Sequence, residues 1–551
     1  MKSKIFKHWS IFFLLGTLTS VLTAISVEAA ERIYFNYASL GFSVSVNSLV
    51  IFAEEGKINK ELGFYLQGLT AEQQEQLRTV LTQTYDLNPV QVYRFFRTPT
   101  GEEMLGIIGN LINIQGGING QYAIRGALVQ AAADPDGLSL LNFIRKFPTN
   151  MELNTDRLFA VGALLEKVVD STGLMEQELG KLSAKLAAME TPVDFSTLPD
   201  IRQPGRFGVE KQTITLTDET RKRVLNIDLY LPRNSRPGKT PVVVISHGLA
   251  SRPLDFEAIS RHLASYGYFV AVPQHPGSDW DQVMAMLEGR SHKLFEINEF
   301  IDRPLDITFL LNQLEGLNKR EFQGKLDLET VGVMGHSFGG ATALAVAGAI
   351  INFEQLEKDC DQIQDKPQPN PSLLFQCSAL NLPQKLYNFR DERVKAIFIT
   401  NPVTSSIFGE KGLTEIEIPV FMIAGTQDIL TPALLEQIRS FPWLKTPDKY
   451  LALAKGDTHF NFAVLDPETT QILNSLASLA VPQPELIDSY THSMSLAFFE
   501  VYITEKIEYS YYLKSSYAQY ISKEPFPLYL VNNSGVSELN KALEEIKQSL
   551  W

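Results

Sequence analysis

The sequence predicts an α/β fold in which a mostly parallel sheet is covered by helices on both faces. Two features of the 551-residue chain lead to this prediction. Short apolar runs rich in Val and Ile alternate with helical segments, as expected for strands that are buried on both faces. In addition, the stretch "VGVMGHSFGGATALAVAGA" (331–349) places a serine in a glycine turn between a strand-like run and an alanine-rich helix.

The predicted strands follow one another in order from Gln212. The stretch "KQTITLTDETRKRVLNIDLYLP" alternates polar and apolar residues on both sides of a polar turn, which predicts an antiparallel pair. The apolar runs that predict the buried strands are 241–246, 269–273, 331–334, 394–400 and 419–424.

The serine in the glycine turn is Ser337. Gly335, Gly339 and Gly340 permit a sharp turn with close backbone approach, so the hydroxyl would be presented at the tip of a strand-to-helix corner. This is the pattern of a nucleophile elbow, G-x-S-x-G. Together with the parallel sheet it predicts the α/β-hydrolase architecture with Ser337 as nucleophile. The alternative is a serine in an ordinary glycine turn.

A serine nucleophile needs a neighbouring base, and in this fold the order along the chain is serine, acid, histidine. The chain has eight histidines, of which only His459 and His492 follow Ser337. His459 ends the strand-like run "LALAKGDTHFNF" after a Gly-Asp-Thr turn, whereas His492 lies in a helical pattern typical of packed or solvated residues. We therefore predict His459 as the base.

The acid is expected after a strand that precedes His459. Asp428 lies four residues past a buried apolar strand in "IPVFMIAGTQDILTP" and is the predicted acid. Asp391 and Asp448 are the competitors, but neither follows a comparable strand. Asp457 is interpreted as a turn residue.

An oxyanion hole requires two backbone N–H donors. One is expected from Phe338, the residue after the nucleophile, and the other from Leu249 in the loop "VVVISHGLASRP", with Ala250 as a possible substitute. We expect His247 to orient this loop and His336 to pack beneath the elbow.

The first 29 residues are typical of a secretory signal peptide. A basic start precedes an apolar run that is short for a membrane span, and small residues Val27 and Ala29 would suit a cleavage site. Export to the periplasm or the extracellular space is predicted, with an uncleaved N-terminal membrane anchor as the alternative. In an oxidising compartment Cys360 and Cys377 would form a disulfide that closes a polar loop, the alternative being two free thiols.

The domain organisation follows from changes in composition along the chain. The C-terminal stripe of apolar and aromatic residues at helical spacing predicts core packing, with a cap over the acyl pocket as the alternative. The stripe includes Leu496, Phe499, Tyr502, Ile503 and Ile507. The predicted segments are a signal peptide (1–29), a smaller, mainly helical N-terminal domain (30–155), a helical linker (156–205) and a hydrolase domain (206–551) with a disulfide-closed insertion (about 352–390) and a helical, aromatic-rich extension (about 485–551).

Composition narrows the range of partners. The chain is 44% hydrophobic and 20% charged with a net charge of −14, which argues against nucleic acid or an anionic membrane as the main partner. A small-molecule or lipid ester is the expected substrate, with transient contact at a membrane surface. No metal or organic cofactor is required by the predicted chemistry, and the sequence does not identify the partner of the N-terminal domain.

Two motifs carry a family resemblance. The stretches "SHGLASRPLDFEAISRHLASYGYFVAVPQHPGSD" and "GHSFGGATAL" resemble the platelet-activating factor acetylhydrolase family and the related dienelactone-hydrolase-like group. The resemblance covers roughly residues 206–470. It implies a nucleophile at Ser337 and an oxyanion hole at Leu249 and Phe338, while the acid and the histidine match only by order and position.

The same resemblance implies hydrolysis of a phospholipid acyl ester. The N-terminal module resembles an uncharacterised domain fused to such hydrolases in cyanobacteria. That module, the cysteine-flanked insertion and the aromatic tail depart from the family pattern. The sequence thus predicts an exported serine esterase; the alternatives are a binding or scaffold protein with a degenerate hydrolase domain, and a hydrolase of polyesters or peptides.

Overall fold

The computed structural model describes residues 29–37, 40–234, 236–361, 363, 366, 368–459 and 482–550. The predicted signal peptide, except for its last residue, lies outside the described residues. Within those residues, no helix is both long and apolar enough to cross a membrane. The chain divides into two compact units: Met1–Arg97 with Met104–Phe159, and Thr98–Glu103 with Ala160–Trp551.

The first unit combines helices with a small sheet, where the sequence predicted a mainly helical domain after a strand-like opening. The described strands run in the order β2-β1-β5-β3-β4. Their bounds are β1 Arg32–Tyr37, β2 Leu40–Ser45, β3 Ile112–Ile114, β4 Ile118–Asn119 and β5 Met151–Leu153. The strand-like opening forms an antiparallel hairpin of β1 and β2, because its apolar and polar residues alternate with the period of a strand.

Seven short helices lie between residues 46 and 145 of the described chain. Helix α3 begins with the capping box that the sequence pattern Thr70…Gln73 indicates. The helices are α1 Val46–Glu55, α2 Lys60–Leu66, α3 Ala71–Thr82, α4 Pro89–Phe95, α5 Pro99–Gly109, α6 Gln121–Ala133 and α7 Leu140–Arg145.

The second unit is organised around a nine-stranded sheet with the order β14-β13-β12-β11-β10-β8-β9-β7-β6 in the described chain. The six strands from β13 to β9 are parallel, while β14 pairs antiparallel with β13 at one edge and β7 pairs antiparallel with both β9 and β6 at the other. The strand bounds are β6 Val209–Asp218, β7 Arg223–Pro232, β8 Thr240–Ser246, β9 Phe269–Pro273, β10 Leu326–His336, β11 Val394–Thr400, β12 Val420–Gly425, β13 Lys449–Ala454 and β14 Leu528–Asn532. This is the α/β-hydrolase fold that the sequence predicts.

Helices cover both faces of this sheet and enclose two hydrophobic cores. Alternate residues of β8 point to opposite faces, so Val242 and Val244 belong to one core and Val243 and Ile245 to the other. The helices are α8 Thr155–Met189, α9 Glu257–Ser265, α10 Trp280–Leu287, α11 Glu299–Arg320, α12 Phe338–Val346, α13 Phe353–Cys360, α14 Leu373–Gln376, α15 Gly409–Leu413, α16 Pro484–Tyr502, α17 Ser515–Ile521 and α18 Val536–Leu550.

Helix α8 occupies most of the segment that was predicted as a linker. From Ala160 onward it belongs to the second unit, where Met175 and Leu179 are buried in the core on one face of the sheet. The hydroxyl of Ser183 accepts a hydrogen bond from the N–H of Leu530 at 3.1 Å. This part of the chain is therefore a packed element of the second unit rather than a linker.

Most of the C-terminal aromatic stripe packs in the core on the other face of the sheet, but Ile507 is 72% exposed and lies outside that core. Leu496, Phe498 and Phe499 on α16 are fully buried, and a Cβ atom on Gly332 of β10 would lie 2.7 Å from the ring of Phe499. The alternative interpretation of this stripe as a cap over the site does not agree with that position. The extension also contributes strand β14, which the prediction of a helical extension missed.

The disulfide between Cys360 and Cys377 is confirmed, with a Cα–Cα distance of 5.7 Å. It links the end of α13 to the turn that follows α14. Both cysteines are buried, so the insertion is anchored on the body of the second unit.

Candidate active site

Ser337 lies at the corner between β10 and α12, at the carboxyl end of the central parallel strands. Its backbone has φ 54° and ψ −117°, a conformation that L residues rarely adopt. A Cβ atom on Gly339 would lie 1.9 Å from the carbonyl oxygen of Ser246, and one on Gly335 would lie 2.1 Å from that of Gly339. Only glycines fit at these two positions, which explains the spacing that the sequence shows around the serine.

A continuous hydrogen-bonded chain joins Ser337, His459 and Asp428. The Nε2 atom of His459 lies 2.9 Å from the Oγ atom of Ser337, and its Nδ1 atom lies 2.7 Å from Oδ2 of Asp428. Because Asp428 accepts at Nδ1, the proton of the neutral imidazole is held there, and Nε2 can accept the serine proton. The parallel strands β12 and β13 end at the same edge of the sheet as β10, and the loops after them carry Asp428 and His459 to the serine.

Hydrogen bonds from several further residues, among them Asn401 and Thr431, hold the carboxylate of Asp428. Its Oδ2 atom accepts from Asn401 Nδ2 at 2.6 Å and from the Thr431 hydroxyl at 2.8 Å, and its Oδ1 atom accepts from the Thr431 N–H at 2.8 Å. Burial by itself would raise the pKa of Asp428, but the facing His459 and these hydrogen bonds lower it. The carboxylate is therefore ionised at neutral pH. Sequence reasoning missed Asn401, although it directly follows the apolar run 394–400.

The competing acids and the second histidine are engaged elsewhere. Asp391 pairs with Arg393 at 2.7 Å, and Asp448 accepts from the hydroxyl of Tyr502 at 3.1 Å. His492 is stacked on His262 with ring centroids 4.4 Å apart, within the helical packing of α16 and α9. The carbonyl of Asp457 accepts from the Gln427 N–H at 3.0 Å, as suits a turn residue.

The loop after β8 faces the elbow and offers one of the two predicted oxyanion donors. The N–H of Ala250 is already bonded to the carbonyl of Ser278 at 2.8 Å, which leaves Leu249 as the better donor. His247 is buried; its Nε2 atom accepts from the His275 N–H at 3.0 Å, so its Nδ1–H donates to the Gly248 carbonyl at 2.7 Å. Phe338 begins helix α12, where N–H groups have no acceptor within the helix.

His336 contributes more than packing beneath the elbow. Its Nε2 atom lies 3.0 Å from the carbonyl oxygen of His459, so the imidazole N–H holds the backbone of the predicted base. Burial, and to a smaller extent the electrostatic interaction with His459, lowers the pKa of His336 to about 3. His336 thus stays neutral and remains a donor in the ordinary pH range.

A second Ser–His–Asp chain lies inside the same unit. Ser246 Oγ is 3.0 Å from His275 Nε2, and His275 Nδ1 is 2.9 Å from Asp306 Oδ2. All three residues are fully buried, and Ser246 ends a strand instead of forming a strained corner. The same hydrogen-bond geometry is therefore also found in this unit at a serine that a substrate cannot reach. The sequence offered no signal for it.

An aromatic cluster borders the elbow. The ring of Phe338 packs against Phe375 of helix α14 at 4.7 Å and against Phe300 of helix α11 at 5.0 Å. Phe295 completes the cluster at 5.0 Å from Phe375. The disulfide-closed insertion thereby supplies an apolar wall next to Phe338.

The sheet and the elbow define the class of this protein as an α/β hydrolase. Comparison with family models agrees with this class and adds two matches. Residues 29–154 match the family described as alpha/beta hydrolase of unknown function (DUF1400).

Residues 197–358 match the family described as chlorophyllase. The second match includes the loop at Leu249 and the elbow at Ser337, and it ends before Asp428 and His459. It supports an ester hydrolase at the level of reaction class. The resemblance to platelet-activating factor acetylhydrolases stays a prediction.

Proposed function

We propose that this protein is a serine esterase that cleaves a carboxylic ester through an acyl-enzyme on Ser337. The observation that carries the proposal is the hydrogen-bonded chain from Asp428 through His459 to Ser337. It combines a nucleophile, a base whose Nε2 atom can accept the serine proton, and an ionised carboxylate that orients the base.

The reaction follows from this arrangement. Ser337 Oγ attacks the ester carbonyl while His459 Nε2 takes the serine proton, and the N–H groups of Leu249 and Phe338 stabilise the oxyanion. The tetrahedral intermediate collapses as His459 passes the proton to the departing alcohol, which leaves an acyl group on Ser337. Water, deprotonated by His459, then attacks the acyl-enzyme, and the acid is released with Ser337 reprotonated.

Covalent labelling tests the nucleophile directly. A fluorophosphonate probe should label the purified protein on Ser337, and Ser337→Ala should abolish the label. The matched control is Ser246→Ala, which disrupts the buried serine chain with the same geometry and should keep the label. An unlabelled wild type would contradict the esterase proposal and favour a binding or scaffold protein.

The proposed substrate is an ester with a short acyl chain, of the phospholipid type cleaved by platelet-activating factor acetylhydrolases. The aromatic wall beside Phe338 supports a short acyl group, since its rings pack closely around the residue that follows the nucleophile. The match to a chlorophyllase model favours chlorophyll as a second candidate substrate.

A substrate panel separates these candidates. We would measure kcat/KM for p-nitrophenyl esters from acetate to palmitate, for a phospholipid with an acetyl group, for a long-chain phospholipid and for chlorophyll. Preference for the acetylated phospholipid and for butyrate or shorter esters supports the proposal. Values that rise steadily to palmitate, or turnover confined to chlorophyll, would contradict it.

Export is part of the proposal and is supported by the disulfide, because such bonds persist in oxidising compartments. N-terminal sequencing of the protein recovered outside the cytoplasm should begin at residue 30. An intact N-terminus in a membrane fraction would instead indicate an uncleaved anchor.

A further inference from the structure

Arg303 is a buried arginine on helix α11 that touches both halves of the proposed oxyanion hole. Its Nη1 atom donates to the carbonyl oxygen of His247 at 2.6 Å, and its Nη2 atom donates to that of Gly248 at 3.2 Å. Its guanidinium carbon lies 4.3 Å from the centre of the Phe338 ring. We propose that Arg303 is the positioning residue that aligns and polarises the oxyanion hole, an inference that rests on the proposed esterase function.

The contact with Gly248 acts on the donor itself. The carbonyl of Gly248 and the N–H of Leu249 belong to the same peptide group, in which a trans bond points the two in opposite directions. The carbonyl accepts from Arg303 on one side and from the Nδ1–H of His247 at 2.7 Å on the other. Two donors on one carbonyl fix the plane of the peptide and strengthen its N–H as a donor, because hydrogen bonds in series polarise one another.

The contact with Phe338 acts on the second donor. A guanidinium group over an aromatic face is attracted to the ring and restrains it. Phe300 and Phe375 pack on the same ring, so the first residue of α12 is held from several sides. Arg303 therefore bridges two segments that are 89 positions apart in the sequence numbering, Leu249 and Phe338.

The guanidinium group is itself held in place. Its Nε atom donates to the Ser278 hydroxyl at 2.8 Å, and Glu299 lies 3.6 Å from Nε. Ser278 also supplies the carbonyl that engages Ala250. Burial lowers the pKa of Arg303 to about 10, which still leaves it charged at neutral pH. A fixed positive charge is thus retained behind the peptide that faces the developing oxyanion.

The test compares Arg303→Gln with a matched arginine elsewhere. Arg236 is also nearly buried, pairs with Glu500, donates to the carbonyl of Tyr266 and lies 4.8 Å from the ring centre of Tyr268. It contacts neither Leu249 nor Phe338. Arg236→Gln should lower the melting temperature but leave the hydrolysis of p-nitrophenyl acetate unchanged.

Two readouts identify a positioning role. Arg303→Gln should lower kcat for p-nitrophenyl acetate about tenfold or more while KM changes less than twofold, since an oxyanion donor acts in the transition state. A trifluoromethyl ketone, which forms an oxyanion on the serine, should lose affinity by the same factor, whereas the affinity of the parent methyl ketone should not change.

Arg303→Lys keeps the charge but cannot bridge both carbonyls. It should lower both kcat and the affinity for the trifluoromethyl ketone, but by a smaller factor, about threefold or more. This variant decides the outcome if Arg303→Gln does not fold. Unchanged kcat and unchanged trifluoromethyl ketone affinity in either folded variant would overturn the inference. A wild type that neither hydrolyses esters nor binds the ketone would overturn the proposed function, and this inference with it.

Discussion

The backbone of Ser337 is held in a strained conformation by contacts with the neighbouring strands. A residue in a sparsely populated region of φ and ψ costs on the order of 1–3 kcal/mol and persists only where the surroundings determine it. The Ser337 N–H donates to the carbonyl of Thr400 at 3.0 Å, and Gly339 packs directly on the backbone of Ser246. These contacts on both sides of the corner keep the hydroxyl directed at His459.

A substitution at each late histidine tests the base. We predict that His459→Ala lowers kcat in an ester assay about a thousandfold or more, since the serine then has no base. His492→Ala should stay within a few-fold of wild type, because His492 stacks on His262 away from the serine. The reverse result would show that the base is misassigned.

At the scale of elements, the disulfide-closed insertion is fastened to the body by a buried carboxylate. Glu436 accepts from the hydroxyl of Ser372 at 2.6 Å and from Gln376 Nε2 at 2.8 Å on either side of helix α14. Its other oxygen accepts from the N–H groups of Thr404 and Ser405 at 2.8 Å. Helix α14, with Phe375 on it, is therefore held firmly against Phe338.

Phe375→Ala should widen the range of accepted acyl chains. Removing the ring opens space beside Phe338, and each added methylene that gains a contact is worth about 1–3 kcal/mol at most. We expect the ratio of kcat/KM for octanoate to that for acetate to rise about tenfold. The control is Phe353→Ala, which removes a ring packed on Tyr387 in the same insertion. An equal rise of this ratio for Phe353→Ala would mean that either substitution loosens the whole insertion, which would contradict a specific effect of Phe375.

Removal of the disulfide should affect stability rather than selectivity. We predict that Cys360→Ala with Cys377→Ala lowers the free energy of unfolding by about 3 kcal/mol, from the loop that the bond closes. The acyl-chain profile should be retained because Glu436 still holds α14. Urea denaturation and the p-nitrophenyl ester series measure the two effects. A changed profile would contradict the anchoring role of Glu436, and thiol titration of the denatured wild type should find no free thiol.

At the scale of the whole molecule, the second unit contains histidines that stay uncharged because they are largely removed from water. Burial lowers the pKa of four of them far below the usual 6.5, to about 3 for His262 and His336 and to about 4 for His275 and His492. In the unfolded chain each would take up a proton below pH 6.5, while in the fold it stays neutral. Each therefore makes the fold less stable as the pH falls from 6.5 toward 4.

We predict that His262→Gln weakens the pH dependence of the free energy of unfolding by about 1.4 kcal/mol per pH unit between pH 6 and 4.5. The control is the exposed His292→Gln, which should leave the slope unchanged. Burial raises the pKa of Glu299 to about 7 and of Asp488 to about 6. These two carboxyl groups therefore make the fold more stable as the pH falls, the opposite of the histidines. The difference in slope between variants isolates the histidine. Equal slopes for both variants would contradict the prediction.

The sequence by itself determined the features that depend on local patterns. Strands and helices were predicted from their periodicity, and the elbow from the spacing of Gly335, Ser337 and Gly339. The disulfide was predicted from two cysteines in a chain with a signal-like start, and it is confirmed. The parallel strands of this fold bring the loops that follow them to one edge of the sheet. The sequence could therefore be used to select Ser337, Asp428 and His459, and the catalytic roles of these residues stay predictions.

Only the tertiary structure decided the features that depend on contacts between distant segments. Arg303 has no local motif, since its role arises where helix α11 passes beneath the loop after β8 and the start of α12. The aromatic stripe of α16 has the same spacing in a core helix and in a cap, and packing against Gly332 distinguishes the two. Periodicity records how a segment is buried, whereas the partner that buries it is set by the path of the whole chain.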